Sequence, residues 1–417
     1  MPTMVSPTGN WEAEQLEQSL ARRVRSGWGA YWVSGARREP PPVAPIALTG
    51  GIPDPDTLPI EELIETSNRV LRREGPEALR YGGHQGHPGL RDWLAEQASQ
   101  RDGLPLTAEN FTITNGISGA MINVCETFLD EGDVSLTESP TFPGGPGTMR
   151  HCLCDVVGVS LDEDGLIPEA LTETIERLEG EGRRVKLLYT TPNFQNPTGT
   201  RLTLERRREV VEICQRHRVL IAEDDAYGDI CFDDEQLPSL FALAGGKGVV
   251  HMGTFSKTMA TGLRIGWAKA DKPVIDALLR TRFDLGTSPW LQRAILEFAA
   301  TGLFEPHLKK VNDVYRGKRD AMLAALEERC GRYVSWNKPD GGYFLWLTLA
   351  EAVDPDALMD AARRLGVAYV GGAAFHLDGG GQDTVRLAYS FVAEQEIPEA
   401  ILRLGRALEE ATQSPAK

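Results

Sequence analysis

Residues 204–227 read Leu-Glu-Arg-Arg-Arg-Glu-Val-Val-Glu-Ile-Cys-Gln-Arg-His-Arg-Val-Leu-Ile-Ala-Glu-Asp-Asp-Ala-Tyr. Between charged positions, Val210, Val211, Ile213 and Cys214 supply one apolar face, which predicts a helix from Leu204 to Arg218. The chain then runs straight into Val219–Ala222, an apolar run of strand type, and leaves it through Glu223, Asp224 and Asp225. A helix feeding a buried strand that ends in a polar loop is the repeating unit of an α/β sheet.

The same unit recurs on both sides of this stretch. Further strand-like runs are Phe111–Thr114, Val134–Leu136, Val156–Val159, Val185–Tyr189, Val249–Met252 and Ile265–Ala268, with helix-like segments between most of them. The pattern predicts an α/β fold, with a mostly parallel seven-stranded sheet between helices. From about Ser288 to Glu328 the chain reads as helical, and Tyr343–Leu347 and Val385–Tyr389 read as strands of a smaller α+β domain. Ahead of the sheet, Arg38-Glu39-Pro40-Pro41-Pro42 reads as an extended connector, because proline lacks a backbone donor. The expected division is an N-terminal arm (1–48), a large domain (49–300) and a small C-terminal domain (301–417).

With 44 Lys+Arg against 60 Asp+Glu the formal charge is −16, so neither nucleic acid nor an anionic membrane is an expected partner. A hydrophobic fraction of 41% with 25% charged residues places the chain among globular proteins rather than disordered or fibrous ones. No uncharged apolar run approaches the ~20 residues that cross a bilayer. Cys125, Cys152, Cys154, Cys214, Cys231 and Cys330 are scattered without a CxxC pair, and Glu12, Glu14 and Glu17 interrupt any signal-like opening. A reducing cytoplasm is the expected compartment.

Four clusters fall at or near the ends of candidate strands, where open α/β sheets bind ligands. Thr114-Asn115-Gly116-Ile117-Ser118-Gly119-Ala120 joins a strand to a helix through small residues, a start that lets an anion approach free amides. Thr191-Pro192-Asn193-Phe194-Gln195-Asn196-Pro197-Thr198-Gly199 would hold the Asn196 amide in a fixed place. Asp224 closes an apolar strand, so its carboxylate is expected to be partly desolvated and to favour a cation. Gly253-Thr254-Phe255-Ser256-Lys257-Thr258 sets a lysine among small and apolar residues, where a lowered pKa suits it to imine formation, and Arg264 follows as a candidate phosphate ligand.

In this order and spacing the clusters resemble the class I/II aminotransferases of fold type I, which use pyridoxal 5′-phosphate (PLP). The likeness runs from about Ala47 to Arg406. It is nearest to the 2-aminoadipate, kynurenine and branched-chain or aromatic amino-acid group, through Gly50-Gly51-Ile52-Pro53-Asp54, Glu138-Ser139-Pro140-Thr141-Phe142-Pro143 and the Asn196 loop. The resemblance implies that Lys257 forms the aldimine with PLP and shuttles the proton, that Asp224 pairs with the pyridinium nitrogen, and that Tyr227 and Asn196 donate to the ring's phenolic oxygen. It assigns the phosphate to the backbone at Ile117 and Ser118, to Thr254 and Ser256, and to Arg264. Phe142 is implied to stack on the ring, and Tyr81 to reach the phosphate of a neighbouring subunit, hence a homodimer with shared active sites. Arg386, with Asn196 and the backbone at Gly51, would hold the substrate's α-carboxylate. The implied activity moves the amino group of an L-α-amino acid to a 2-oxo acid.

Departures from the family pattern are Ile117-Ser118 in place of Ser-Gln, Phe142 without a tyrosine hydroxyl, and the run Pro143-Gly144-Gly145-Pro146-Gly147, which would open space beside the cofactor. That space supports an alternative in which the same frame performs elimination, replacement, cyclisation or oxidation of an amino acid. A regulator built on an aminotransferase-like sensor also carries a winged-helix domain and a linker, for which the residues ahead of Gly50 are too few. No metal is expected: His84 and His87 have ligand-like spacing without a third cluster. Cys152 and Cys154 read as alternate residues on a strand, packed in the core. Tyr343, Phe344 and Trp346 read as sheet core of the small domain.

Overall fold

The computed structural model describes residues 18–25, 43–233 and 236–413. The connector at Arg38–Pro42 lies outside the described residues. In chain order the strands are β1 (Ile46–Ala47), β2 (Phe111–Thr114), β3 (Val134–Ser139), β4 (Asp155–Asp162), β5 (Gly165–Leu166), β6 (Val185–Thr190) and β7 (Leu220–Asp224). They continue with β8 (Val249–Thr254), β9 (Gly266–Lys269), β10 (Val334–Trp336), β11 (Phe344–Leu349), β12 (Val367–Ala368), β13 (Val370–Gly371) and β14 (Thr384–Ala388).

The large sheet has the order β2-β9-β8-β7-β6-β3-β4-β5. The seven expected strands are all present, and the two-residue β5 adds an eighth at the edge. Strands β8, β7, β6, β3 and β4 are parallel, whereas β9 runs antiparallel to both its neighbours. The connection from Thr254 to Gly266 is too short for a helical crossover, so β9 returns beside β8 in the opposite sense.

Both faces of the sheet are covered. Along β6, Leu188 joins the core made with Leu171, Ile175, Val210 and Cys214, while Leu187 and Tyr189 join the core made with Val124, Ile275 and Leu278. Successive strand residues point to opposite faces, and both faces here are apolar, which explains the unbroken hydrophobic runs in the sequence. The helix read from the opening stretch spans Leu204–His217 and stops at Arg218, whose φ of 56° ends the helix before β7.

The expected helical stretch after Ser288 is two helices, Pro289–Ala300 and Phe304–Arg329, broken near Gly302 at φ 75°. The second leads to a four-stranded antiparallel sheet of order β10-β11-β14-β13, and β1 pairs in parallel with β12. Among the described residues no helix is long and apolar enough to cross a membrane.

Candidate active site

The carboxyl ends of β3, β6, β7 and β8 open onto a cavity of about 460 Å³. Lys257 and Asp224 are the two charged groups at its floor. The Lys257 ammonium donates to the Gly51 carbonyl at 2.7 Å and lies 5.7 Å from the Tyr227 ring centroid. Burial lowers its pKa to about 8, against the opposing pull of Asp224. Asp224 is 6% exposed, and its Oδ2 accepts a hydrogen bond from the Tyr189 hydroxyl at 2.7 Å. Its Oδ1 is buried with no hydrogen-bond partner among the described residues. Burial raises this carboxyl to about 6, and the Tyr189 bond holds the rise in check. Tyr227 also lines the cavity, and burial keeps its phenol protonated.

At one end the cavity is built for an anion. The helix Gly116–Phe128 begins here, placing Ile117 and Ser118 in its first turn, where amides lack helical partners. Gly116 has φ 65°, and a Cβ added there would stand 2.9 Å from Arg264 Nη2, so glycine lets the guanidinium lie against the turn. The Thr254 hydroxyl donates to Ser256 Oγ at 3.0 Å and accepts from the Ser256 amide at 3.1 Å, which folds both hydroxyls into the same corner.

The opposite end holds Arg386. Its guanidinium lies between the rings of Phe344 and Phe375, 4.4 and 4.8 Å from their centroids. Its two terminal nitrogens donate to Asn196 Oδ1 at 2.8 Å and to the Thr49 carbonyl at 2.7 Å. The Asn196 loop is itself tied down twice. Arg207, fully buried, donates to Pro192 O at 2.9 Å and Asn193 Oδ1 at 2.6 Å. Glu138, 2% exposed, accepts from Thr190, from the Thr191 amide and from Gln195, joining the loop after β6 to the loop after β3 that carries Phe142.

Twelve of the thirteen residues singled out from the sequence therefore line one cavity. Tyr81 does not; it is 87% exposed. Reading the sequence alone missed Tyr189, Val370 and Phe375 in the lining, and the role of Tyr343, whose hydroxyl donates to the Lys257 carbonyl at 2.6 Å.

The glycine-rich run differs from expectation. A Cβ on Gly144 would lie 2.2 Å from Phe142 Cε1, and one on Gly145 2.4 Å from Tyr189 Cε1, so the space these glycines leave is filled by two rings. Cys154 packs in the core and Cys152 against it, as expected, but not as strand neighbours: Cys152 follows the helix Gly144–His151 and Cys154 precedes β4. His87 caps the helix Pro88–Asp102, accepting from the Leu90 amide at 3.3 Å, and His84 Nδ1 lies 3.0 Å from the Arg282 carbonyl.

Residues 46–404 match the family Aminotransferase class I and II. The chain is 35% identical over 367 residues to aromatic-amino-acid aminotransferase 1 of Thermococcus litoralis, covering 88% of each. It is also 35% identical over 368 residues to the 2-aminoadipate transaminase of Thermus thermophilus, covering 87% of this chain and 90% of that one. The crystal structure of Pyrococcus horikoshii kynurenine aminotransferase in complex with PMP matches with a TM-score of 0.86 at 31% identity, over 97% of this chain and 98% of that one. The residues fit the cofactor of this family. A buried carboxylate oxygen without a partner suits a protonated ring nitrogen, a desolvated amine suits an aldehyde, and a helix start beside Arg264 suits a phosphate. The chain belongs to the class I and II aminotransferases and is a PLP-dependent enzyme that moves amino groups from amino acids to 2-oxo acids.

Proposed function

We propose that the enzyme acts on L-amino acids with neutral aromatic or long apolar side chains, using Lys257, Asp224 and Arg386 as its principal groups. The observation that carries this reading is the character of the cavity wall. Ile52, Pro143, Val370 and Phe375 are apolar, and among the described lining residues the cations are Lys257, Arg264 and Arg386, each with a task of its own. A second carboxylate on the substrate would meet no further cation there, and an unpaired charge in such a site is costly.

PLP, when bound, supplies an electron-accepting ring that makes the substrate's Cα–H acidic. Arg386 grips the α-carboxylate with a planar fork, helped by Asn196 and the backbone at Gly51. Lys257 Nζ would hold the cofactor's aldehyde carbon until the substrate's amine displaces it, and would then serve as the base that carries the substrate's Cα proton. Its lowered pKa keeps a useful share of neutral amine near neutral pH. Asp224 keeps a negative charge beside the ring nitrogen. Tyr227 and Asn196 would donate to the phenolic oxygen, Phe142 would cover the ring face, and Ile117, Ser118, Thr254, Ser256 and Arg264 would hold the phosphate.

The same proposal includes a homodimer with Tyr81 serving the neighbouring site. In its support, Leu79, Tyr81 and Phe283 are 70%, 87% and 86% exposed. The segments that carry them touch through His84 and the Arg282 carbonyl and through Gly286 against Gly83, which makes one apolar surface. The arm (1–48), large domain (49–300) and small domain (301–417) are part of it too, supported by the pairing of Ile46–Ala47 with Val367–Ala368. Six cysteines, none of them in a disulfide among the described residues, accord with a cytoplasmic setting.

Substrate class is tested by mixing PLP-loaded enzyme with single amino acids and following conversion of the bound aldehyde to PMP by absorbance. Phenylalanine, tyrosine and leucine should convert it faster than 2-aminoadipate or glutamate. Faster conversion by the dicarboxylic amino acids would overturn the proposal.

A further inference from the structure

We propose that Tyr189 is a positioning residue for Asp224: it fixes one carboxylate oxygen and leaves the other for the ring nitrogen of the cofactor. This rests on the Asp224 assignment above and adds a residue to it.

Tyr189 lies in β6, in register with Ala222 of the neighbouring β7, two residues before Asp224. The ring is 1% exposed, and its hydroxyl lies 2.7 Å from Asp224 Oδ2. Two features make this contact more than packing. Among the described residues the phenol is the side chain that donates to Asp224, at Oδ2, and Oδ1 is buried with no hydrogen-bond partner. An unpaired buried acceptor is costly, and one that persists at a ligand cavity marks a missing ligand group. The second feature is the shape of the opposing wall. Gly145 stands where any side chain would collide with the Tyr189 ring, so the sequence leaves room for this ring beside the helix Gly144–His151.

The chemistry agrees with the geometry. Burial, and then the charge of Asp224, raise the Tyr189 phenol well above its ordinary range, so it remains a donor throughout the working pH range. Its hydrogen bond favours the ionised form of Asp224, which burial alone would push further toward the neutral acid. A neutral Asp224 cannot hold a protonated ring nitrogen by charge. Tyr189 thus acts on the cofactor through Asp224, without needing to touch it.

The test uses the apoenzyme and PLP binding, read by quenching of intrinsic fluorescence across about pH 5.5–8.5, with thermal melting as the control for folding. Loss of a hydrogen bond to a charged group should weaken PLP binding by Tyr189→Phe about tenfold or more near neutral pH. The acidic limb of the affinity profile should move to higher pH, because Asp224 becomes harder to ionise. Should Tyr189→Phe melt early, Gly145→Ala makes the same test by displacing the ring while keeping its hydroxyl. Unchanged affinity, or a loss equal at every pH, would overturn the proposal. Asp224→Asn separates the two readings: if it leaves PLP affinity intact, the Asp224 assignment fails; if it collapses affinity while Tyr189→Phe does not, only the Tyr189 proposal fails.

Discussion

The hydroxyl of Tyr343 donates to the backbone carbonyl of Lys257 at 2.6 Å, and both its ring and the next residue, Phe344, are fully buried. A residue immediately ahead of β11, an inner strand of the small antiparallel sheet, therefore fixes the backbone of the lysine in the large-sheet loop. The Tyr343 ring also packs edge-on to Tyr227 and Tyr315 at 5.5 and 4.9 Å between centroids. Lys257 is held from below by this aromatic cluster and at its tip by Gly51.

Tyr343→Phe keeps the ring contacts and removes the bond to Lys257. The buried carbonyl loses its side-chain donor, which should cost about 1–3 kcal/mol of unfolding free energy and lower kcat more than it raises KM. Urea unfolding and steady-state kinetics check both. Wild-type stability and kcat in the variant would show that the bond does not hold the lysine in place.

Arg386→Lys should leave PLP retention nearly intact and raise KM for every amino acid. Lysine can supply the charge, but neither the paired donors to Asn196 and Thr49 nor the flat face between Phe344 and Phe375. A loss of ~2–4 kcal/mol in kcat/KM is expected for a buried carboxylate contact weakened in this way. Equal kcat/KM for wild type and variant would remove Arg386 from the substrate site.

Much of this site was legible from the chain, and what was not has common physical causes. Lys257, Asp224, Asn196 and the Gly116 turn each interrupt an apolar run with a residue type that a core does not need, so each announces itself locally. Tyr189, Tyr343 and Phe375 do not, because a buried aromatic in or beside a strand is what a core looks like. Their roles depend on partners far along the chain, 35 residues from Tyr189 to Asp224 and 86 from Tyr343 to Lys257. The glycines after Phe142 mislead for the same reason. Their composition says that space exists, and only the fold says that Phe142 and Tyr189 fill it. The reversal of β9 was readable, since the connection between Thr254 and Gly266 is short, but hydrophobic pattern carries no strand direction.

Asp224 makes the apoenzyme pay for function in stability. Its folded pKa is about 6 against an ordinary 3.8, so folding favours the protonated acid. The associated stability is present below the unfolded pKa and is lost as pH rises through the folded one. Apo Asp224→Asn should therefore gain on wild type between about pH 4 and pH 6, reaching ~1–3 kcal/mol at neutral pH, while binding PLP poorly. Urea unfolding of both apoproteins at several pH values would show it. A constant difference across that range would contradict the raised pKa.

In the role proposed for Lys257, its neutral form is the nucleophile that would capture PLP. With a pKa of about 8 in place of 10.5, the capture rate of apoenzyme should climb with pH, bend at about 8 and level off above it, rather than climbing into the range of an exposed lysine. Stopped-flow absorbance across that range measures it. A rate still rising tenfold per unit above about pH 9 would mean that burial does not tune this amine.

The most direct measurement reduces PLP-loaded enzyme with borohydride, digests it and maps the pyridoxyl label by mass spectrometry. The label is expected on Lys257 alone, and neither label nor turnover in Lys257→Ala. A label on any other lysine, or a Lys257→Ala enzyme that still turns over, would contradict it.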